Sequence, residues 1–114
     1  MPRWEKACRA DAVRDGEPCG VKLGGLSVGI FRLGDRLLAM HDVCSHEYAL
    51  LSTGYQEGGA VECPLHLARF DLATGQCLAP PAEHDLAVFR VKVEGGDVYV
   101  ELPEGATDET LMRR

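Results

Sequence analysis

Two short motifs, each with one cysteine and one histidine, restrict the possible folds of this chain more than any other feature of its sequence. Cys44 and His46 form the first pair, and Cys63 and His66 form the second, with sixteen residues between the two pairs. Thiolates and imidazoles are metal ligands, and two such pairs complete a four-ligand site only if the chain brings them together. Glycine and proline are frequent around both motifs, which predicts that the pairs lie on two loops of a rigid scaffold.

The order of the ligands distinguishes two kinds of metal site. Zinc fingers usually pair Cys with Cys and His with His, at spacings of about two to four and three to five residues. In this chain each pair is mixed and more tightly spaced. Mixed pairs let both thiolates bind one iron and both imidazoles bind the other, as a 2Fe-2S cluster with two unlike irons requires. The pattern favours one 2Fe-2S cluster on Cys44, His46, Cys63 and His66, with a zinc-binding structural module as the alternative.

Most of the remaining sequence is patterned as short strands. Apolar residues alternate with polar ones over residues 89–93 and 98–102, and the turn at Gly95-Gly96 between them predicts a β-hairpin. A second hairpin is predicted around Gly34-Asp35. Many short strands with glycine-rich turns indicate an all-β fold, a small antiparallel β-sandwich. The length predicts one domain, which we place at residues 1–104, followed by a polar tail at 105–114.

Charge and cysteine number narrow the classes of function. The net charge of -6 disfavours nucleic acid and anionic membranes as partners and suits a basic protein surface. An N-terminus without a secretory signal, and apolar runs far shorter than the roughly 20 residues of a membrane span, predict a cytoplasmic protein. Five cysteines in such a chain favour metal binding over a disulfide framework. Outside the ligand set, we interpret Cys8, Cys19 and Cys77 as free thiols, and His41 and His84 as surface or strand histidines.

Four segments carry a family resemblance: CSHEYALLSTG, VECPLH, RFDLATGQ and VEGGDVYVEL. Through them the chain, from about residue 26 to 102, resembles the Rieske-type 2Fe-2S ferredoxins of bacterial aromatic-ring-hydroxylating dioxygenase systems, such as those for biphenyl, naphthalene or carbazole. The resemblance implies the Rieske fold, a β-sandwich with both ligand loops at one tip. It also implies that Cys44 and Cys63 bind the inner iron, and that His46 and His66 bind the outer, solvent-facing iron.

The resemblance further implies a role in electron transfer. Such ferredoxins carry single electrons from an NAD(P)H-dependent flavoprotein reductase to the terminal oxygenase, so we expect a soluble, monomeric electron carrier of aromatic hydrocarbon catabolism. A Rieske oxygenase needs a further iron, held by two histidines and a carboxylate in a separate catalytic domain. Only twelve residues follow Leu102, and none of them is a histidine. We therefore expect the chain not to be an enzyme by itself.

Two other groups that share this fold are alternatives. The small Rieske-like subunit of an assimilatory nitrite reductase resembles this chain and would stay bound to a large enzyme. A respiratory Rieske subunit would be anchored to a membrane and would carry a disulfide between its ligand loops. The cysteines of that disulfide would fall at positions that Ala49 and Leu65 occupy in this chain, which argues against the respiratory group.

The second loop departs from its relatives in ways that bear on the reduction potential. Leu67 stands where relatives usually carry glycine after the ligand histidine. Ala68 and Phe70 stand where high-potential respiratory relatives carry serine and tyrosine, whose hydroxyls donate hydrogen bonds to sulfur. Each lost hydrogen-bond donor destabilises the reduced cluster, so we expect a reduction potential of about -150 mV, at the low end for Rieske centres.

Overall fold

The computed structural model describes residues 3–43, 50–64, 68–79 and 85–112 of the 114-residue chain. Strands dominate these residues, and short 3-10 helices at Ala10–Ala12 and Leu51–Thr53 and the helix α1 (Asp108–Met112) accompany them. The all-β fold predicted from the sequence is confirmed. The strands are β1 (Arg3–Arg9), β2 (Cys19–Leu23), β3 (Leu26–Leu33), β4 (Arg36–His41), β5 (Tyr55–Glu57), β6 (Ala60–Glu62), β7 (Arg69–Asp71), β8 (Cys77–Ala79), β9 (Val88–Phe89), β10 (Val91–Glu94) and β11 (Asp97–Leu102).

The described strands form three antiparallel sheets. The first sheet has the order β1-β11-β10, the second β2-β3-β4-β9, and the third β5-β6-β7-β8. Strands of the first two sheets reach eight residues, whereas each strand of the third sheet has three. The third sheet follows the first ligand motif in the sequence, and its β6–β7 connection contains the second, so the site is built on a sheet in which every strand is short.

The first and second sheets enclose one of two hydrophobic cores, which we call the base core. Strand β11 shows how the sequence forms it, because Val98, Val100 and Leu102 are buried while the residues between them are partly exposed. That alternation is the period-two pattern of a strand with one face on a core. The base core consists of the buried residues Val13, Leu26, Val28, Ile30, Ala39, Val98, Val100 and Leu102.

A second core lies between the second and third sheets, and we call it the loop-side core. Strand β3 contributes to both cores, since Val28 and Ile30 belong to the base core and Phe31 belongs to the loop-side core. This double role explains why six consecutive residues of β3 are buried. The loop-side core consists of Phe31, Met40, Leu51, Val61, Cys63, Ala68, Phe70, Leu72 and Leu86.

Both predicted hairpins are present, but one predicted strand is wrong in its extent. Gly95 and Gly96 have φ angles of 59° and 82°, which a two-residue hairpin turn requires and which glycine adopts without steric cost. The continuous strand expected over residues 89–93 is divided at Arg90. Val88–Phe89 pairs with β4 in the second sheet, and Val91–Glu94 pairs with β11 in the first, because the chain changes sheets there.

The polar tail predicted at 105–114 contains α1, and this helix contacts the body of the fold. Ala106 and Leu111 pack against the base core. The carboxylate of Asp108 accepts hydrogen bonds from the backbone N–H of Ser27 at 2.6 Å and from its hydroxyl at 2.7 Å. Two apolar contacts and a carboxylate thus hold this part of the tail against β3.

Candidate metal centre

One of the four predicted ligands lies in the part of the chain that the structure describes. Cys63 directly follows β6, and its side chain is fully buried at 0% exposure in the loop-side core. Cys44, His46 and His66 lie outside the described residues, as does Leu67. The described part of the site consists of Cys63 and the residues that begin and end the two loops.

The two ends of the first ligand loop are joined by backbone hydrogen bonding. Val43 and Leu50 form an isolated antiparallel bridge on either side of residues 44–49. The N–H of Leu51 donates to the carbonyl of Asp42 at 2.7 Å. A segment of six residues that contains Cys44 and His46 thus begins and ends at one place, where the second sheet meets the 3-10 helix Leu51–Thr53.

The side chain of Asp42 adds a second connection across the base of this loop. Its carboxylate accepts hydrogen bonds from the Ser52 N–H at 2.7 Å and from the Ser52 hydroxyl at 2.5 Å. Asp42 is 1% exposed. Burial raises the pKa of Asp42 to about 6, although the bonds from Ser52 lower it, and the nearby charge of Asp108 adds to the increase.

Two glycines of neighbouring strands leave the space that this Asp42–Ser52 contact occupies. A Cβ atom at Gly29 would lie 2.6 Å from Asp42 Oδ1, and one at Gly20 would lie 2.4 Å from Ser52 Oγ. Non-bonded carbon and oxygen atoms do not approach so closely without a shift of the structure. Glycine at both positions is therefore required for Asp42 to reach Ser52 in this arrangement.

The second ligand loop is the connection of a tight hairpin. Strands β6 and β7 pair antiparallel, with Glu62 opposite Arg69. The N–H of Cys63 donates to the carbonyl of Ala68 at 2.7 Å. The pairing thus continues from the sheet to Cys63 and Ala68, which lie on either side of the segment that contains His66.

A close backbone approach brings the bases of the two loops together. Gly54 follows the 3-10 helix after the first loop, and a Cβ atom on it would lie 2.1 Å from the carbonyl oxygen of Glu62 and 3.1 Å from Pro64 Cδ. Only glycine permits this approach, because any side chain would overlap the backbone that precedes Cys63. The arrangement meets a requirement for a shared four-ligand site, because the chain that leaves the first motif lies beside the chain that enters the second.

Apolar side chains surround Cys63 on the protein side. Leu51, Ala68 and Phe70 share the loop-side core with it, and each of the three is 0% exposed. A dry and weakly polar environment on one side of a thiolate ligand is one of the factors that set the potential of an iron-sulfur centre. The donor set of two cysteines and two histidines, with one cysteine in such surroundings, fits a 2Fe-2S cluster.

His41 is a buried strand histidine, in agreement with the sequence interpretation. It ends β4, is 1% exposed, and its Nε2 lies 3.0 Å from Asp108 Oδ1. Lys22 Nζ reaches the other oxygen of Asp108 at 3.2 Å. Burial tends to raise the pKa of Asp108, but the hydrogen bonds from Ser27, His41 and Lys22 lower it to about 2. His84 lies outside the described residues.

Sequence reasoning missed the residues that support the loops. Asp42 and Ser52 flank the first motif, and Gly54 lies nine residues before Cys63. An aspartate directly before a predicted loop and a serine directly after it were the available signal, because such residues often cap loop ends with side-chain hydrogen bonds. The partner of Gly54 could not be found from the sequence, since the contact depends on how two loops pack.

Elsewhere in the described ranges no further metal site or membrane segment is found. Across residues 3–43, 50–64, 68–79 and 85–112, no three His, Cys, Asp or Glu side chains are grouped so that they could hold a metal ion. In the same ranges, no helix has the length and apolar composition that crossing a bilayer would need.

Comparison with known proteins gives a consistent result. A family model described as Rieske [2Fe-2S] domain matches residues 3–90. The anthranilate 1,2-dioxygenase ferredoxin subunit of Burkholderia cepacia is 37% identical over 102 residues, which cover 90% of this chain and 94% of that protein. The structure of the Sphingomonas yanoikuyae B1 ferredoxin matches with a TM-score of 0.84 and 30% identity, over 89% of this chain and 100% of that chain. A ferredoxin–oxygenase complex of carbazole 1,9a-dioxygenase contains a chain that matches with a TM-score of 0.79 and 37% identity, over 85% of this chain and 91% of that one.

Proposed function

The chain belongs to the Rieske [2Fe-2S] domain family, and from that premise we propose that Cys44, His46, Cys63 and His66 are the ligands of its cluster. Membership means that the protein carries one 2Fe-2S cluster. In the proposed arrangement Cys44 and Cys63 bind the inner iron, and His46 and His66 bind the outer iron. The observation that carries the assignment is the close approach of Gly54 to Glu62, which places the chain just after the first loop beside the chain just before the second.

The protein is an electron carrier, the ferredoxin subunit of an aromatic-ring dioxygenase system that transfers electrons to the oxygenase. A 2Fe-2S cluster held by Cys44, His46, Cys63 and His66 would supply one-electron redox chemistry at this site. The protein's own residues hold the site and exclude water from its inner side: Leu51, Ala68 and Phe70 shield Cys63, and Asp42 fixes the ends of the first loop. A rigid, dry inner side reduces the reorganisation that accompanies a change of charge.

The electron-transfer role and the charge of the loop region indicate which proteins this chain binds. One matched structure is a complex of a ferredoxin with its oxygenase, and we propose that this chain docks on its own oxygenase and on an NAD(P)H-dependent flavoprotein reductase. Residues 43–79 contain four acidic side chains and one basic side chain, so the complementary partner surface is basic. We further propose a cytoplasmic monomer with one domain over residues 1–104 and an attached tail at 105–114, and no nucleic-acid or membrane partner.

Metal analysis and spectroscopy test the ligand assignment. We expect two irons and two acid-labile sulfides per chain, with the EPR signal of a Rieske centre after reduction with dithionite. Cys63→Ser should lose this signal. Cys77→Ser is the matched control, because Cys77 also packs against the loop-side core but lies outside the ligand set, and it should keep the signal. Stoichiometric zinc in protein produced in iron-replete medium would overturn the assignment in favour of the zinc module.

A reconstituted electron-transfer assay tests the role. With a ferredoxin reductase, NADH or NADPH and a terminal oxygenase of a ring-hydroxylating system, addition of this protein should support oxygenation, and the Cys63→Ser variant should not. Reduction of the cluster by dithionite but not by any such reductase, together with stable binding to a large nitrite reductase subunit, would support the nitrite reductase alternative and contradict this proposal.

A further inference from the structure

The tail residue Asp108 contacts three strands of the second sheet with one carboxylate. Its Oδ1 accepts a hydrogen bond from the backbone N–H of Ser27 in β3 at 2.6 Å and lies 3.0 Å from Nε2 of His41, the last residue of β4. Its Oδ2 accepts from the Ser27 hydroxyl at 2.7 Å and from Nζ of Lys22 in β2 at 3.2 Å. The Asp108 side chain is 15% exposed. One carboxylate thus joins the tail to Ser27 and His41, which lie 81 and 67 residues away in the sequence.

The backbone of the tail holds Asp108 in this position. The N–H of Asp108 donates to the carbonyl of Gly25 at 3.1 Å, in the turn between β2 and β3. At the start of α1 the Thr107 N–H donates to the Thr110 hydroxyl at 2.9 Å, and the Thr110 N–H donates to Thr107 Oγ1 at 3.3 Å. Reciprocal bonds of this kind satisfy the free N–H groups at a helix start. The Asp108 carboxylate therefore meets the second sheet from a backbone that is itself hydrogen-bonded.

Hydrogen bonds fix both the backbone and the side chain of His41. Its backbone N–H donates to the carbonyl of Ala87 at 2.9 Å, and the residue is 1% exposed. The pKa of Asp108 is about 2, so its carboxylate is ionised at neutral pH and can only accept hydrogen bonds. Nε2 of His41 therefore carries the proton of the bond to Asp108. The last residue of β4 is thus held from two sides before the chain enters the first ligand loop.

The residue after His41 extends these contacts to the first ligand loop. Asp42 donates its backbone N–H to the Ser27 carbonyl at 2.9 Å, and its carboxylate accepts hydrogen bonds from Ser52 on the far side of the loop. Cys44 lies two residues after Asp42. Ser27 thus bonds to the tail through its N–H and hydroxyl, and to the base of the loop through its carbonyl. A continuous set of hydrogen bonds therefore connects the tail to both ends of this loop.

We propose that Asp108 is a positioning residue of the metal centre, which acts through Ser27 and His41 to hold the first ligand loop in place. The inference rests on the proposed role of Cys44 and His46 as cluster ligands, and it gives the tail a part in the function of the site. Hydrogen-bonded groups behind a metal ligand fix its orientation and affect how tightly the metal is held. Removal of the Asp108 carboxylate takes away an acceptor that two buried residues use, so the strand ends at the base of the loop must shift.

Variants of the full-length, cluster-loaded protein separate positioning from stability. In Asp108→Ala the loss of visible absorption on addition of an iron chelator should be about 10-fold faster, as for groups behind metal ligands. The EPR g values of the dithionite-reduced cluster should shift. His41→Leu should act in the same way, whereas His41→Gln should keep the wild-type values, because its amide can donate to the same oxygen.

Lys22→Met is the matched control. Lys22 donates to the same carboxylate, but it lies in β2, which leads to the turn before β3 and not to a ligand loop. This variant should keep the wild-type g values and rate of cluster loss, even where its unfolding temperature falls. The His41 pair tests the same connection without any change in the tail, so the test does not depend on how well Asp108→Ala folds.

Hydrogen exchange gives a readout that does not require the cluster. The N–H groups of Leu51 and Ser52, which bond to Asp42, should exchange about 10-fold faster in Asp108→Ala, while those of β10 and β11 change little. Wild-type g values, cluster loss and exchange in Asp108→Ala would overturn the proposal, as would equal changes in Lys22→Met or in both His41 variants. Wild-type protein without a Rieske signal would instead contradict the ligand assignment, and exchange would still test the effect of the tail on the loop.

Discussion

The base and the loop side of this protein are stabilised in different ways. The base has strands of up to eight residues, a core of eight buried residues and a helix packed against it. The loop side has four strands of three residues and a core that includes Cys63, a proposed cluster ligand. Short ladders contribute few hydrogen bonds, so the loop side depends more on its core and on metal ligation than the base does. The base can therefore serve as a scaffold stabilised by its own contacts, whereas the loop side also depends on its cofactor for stability.

Removal of a ligand should separate the two regions most clearly. In Cys63→Ala we expect loss of the cluster and amide exchange in β6 and β7 that is faster on the order of 100-fold, because the loops lose their cross-link. Exchange in β3 and β11 should change little. Hydrogen exchange with mass spectrometry measures both, with Cys77→Ala as the control. Equal acceleration in the two regions would show that the base does not fold independently of the cluster.

A matched pair of leucines compares the two cores directly. Leu72 in the loop-side core and Leu102 in the base core are 1% and 0% exposed. Replacement of either by alanine should lower the free energy of unfolding by about 2–5 kcal/mol, since both leave a cavity. The spectroscopic consequence should differ. During thermal unfolding, Leu72→Ala should lose the visible absorption of the cluster at a lower temperature than the far-UV circular dichroism of its strands. In Leu102→Ala the two signals should fall together.

If the order of the two signals were reversed between these variants, the loop side would be the more stable region. The comparison between the regions would then have to be inverted.

Asp108 tests how firmly the tail is attached to the base. Its pKa in the folded protein is lowered to about 2 from an ordinary value of 3.8, so its carboxylate stabilises the fold fully above about pH 4 and less as the pH falls toward 2. Asp108→Asn should cost about 1–3 kcal/mol at pH 7, because it weakens hydrogen bonds to a charged group. Urea unfolding at pH 7, 4 and 3 measures this.

The variant should also lose less stability between pH 4 and pH 3 than the wild type does. Asp35→Asn, at an exposed turn, is the control and should behave as the wild type. Identical pH dependence in Asp108→Asn and the wild type would contradict the role assigned to the Asp108 carboxylate.

The smallest expected effect concerns the reduction potential. We expect a wild-type reduction potential of about -150 mV. In Ala68→Ser the added hydroxyl should donate a hydrogen bond that stabilises the reduced cluster by about 1 kcal/mol more than the oxidised one. The potential should then rise by about 40 mV. Ala39→Ser is the matched control, because Ala39 is a buried alanine of the base core. It should lower stability without changing the potential. Protein-film voltammetry gives the values, and a wild-type potential well above zero would contradict the expectation.

Much of the base was predictable because its strands follow local patterns. The alternation at Val98, Val100 and Leu102 predicted a strand with one buried face, and the glycines at 95 and 96 predicted its turn. The division at Arg90 was not predictable, because apolar alternation is the same whether a strand continues or changes sheets. The attachment of the tail could not be predicted from the sequence either, since the partners of Asp108 lie far from it along the chain.

The sequence by itself determined the kind of cofactor and the nature of the fold. Ligand chemistry resides in residue types and their spacing, so the two Cys–His pairs predict a Rieske cluster wherever the loops lie. Only the tertiary structure decided how those loops are held: Gly54 lies against the Glu62 carbonyl, and the Asp42 carboxylate accepts hydrogen bonds from Ser52. Such contacts join residues whose separation in sequence carries no periodic signal, and they exist only because close packing leaves each of them one geometry.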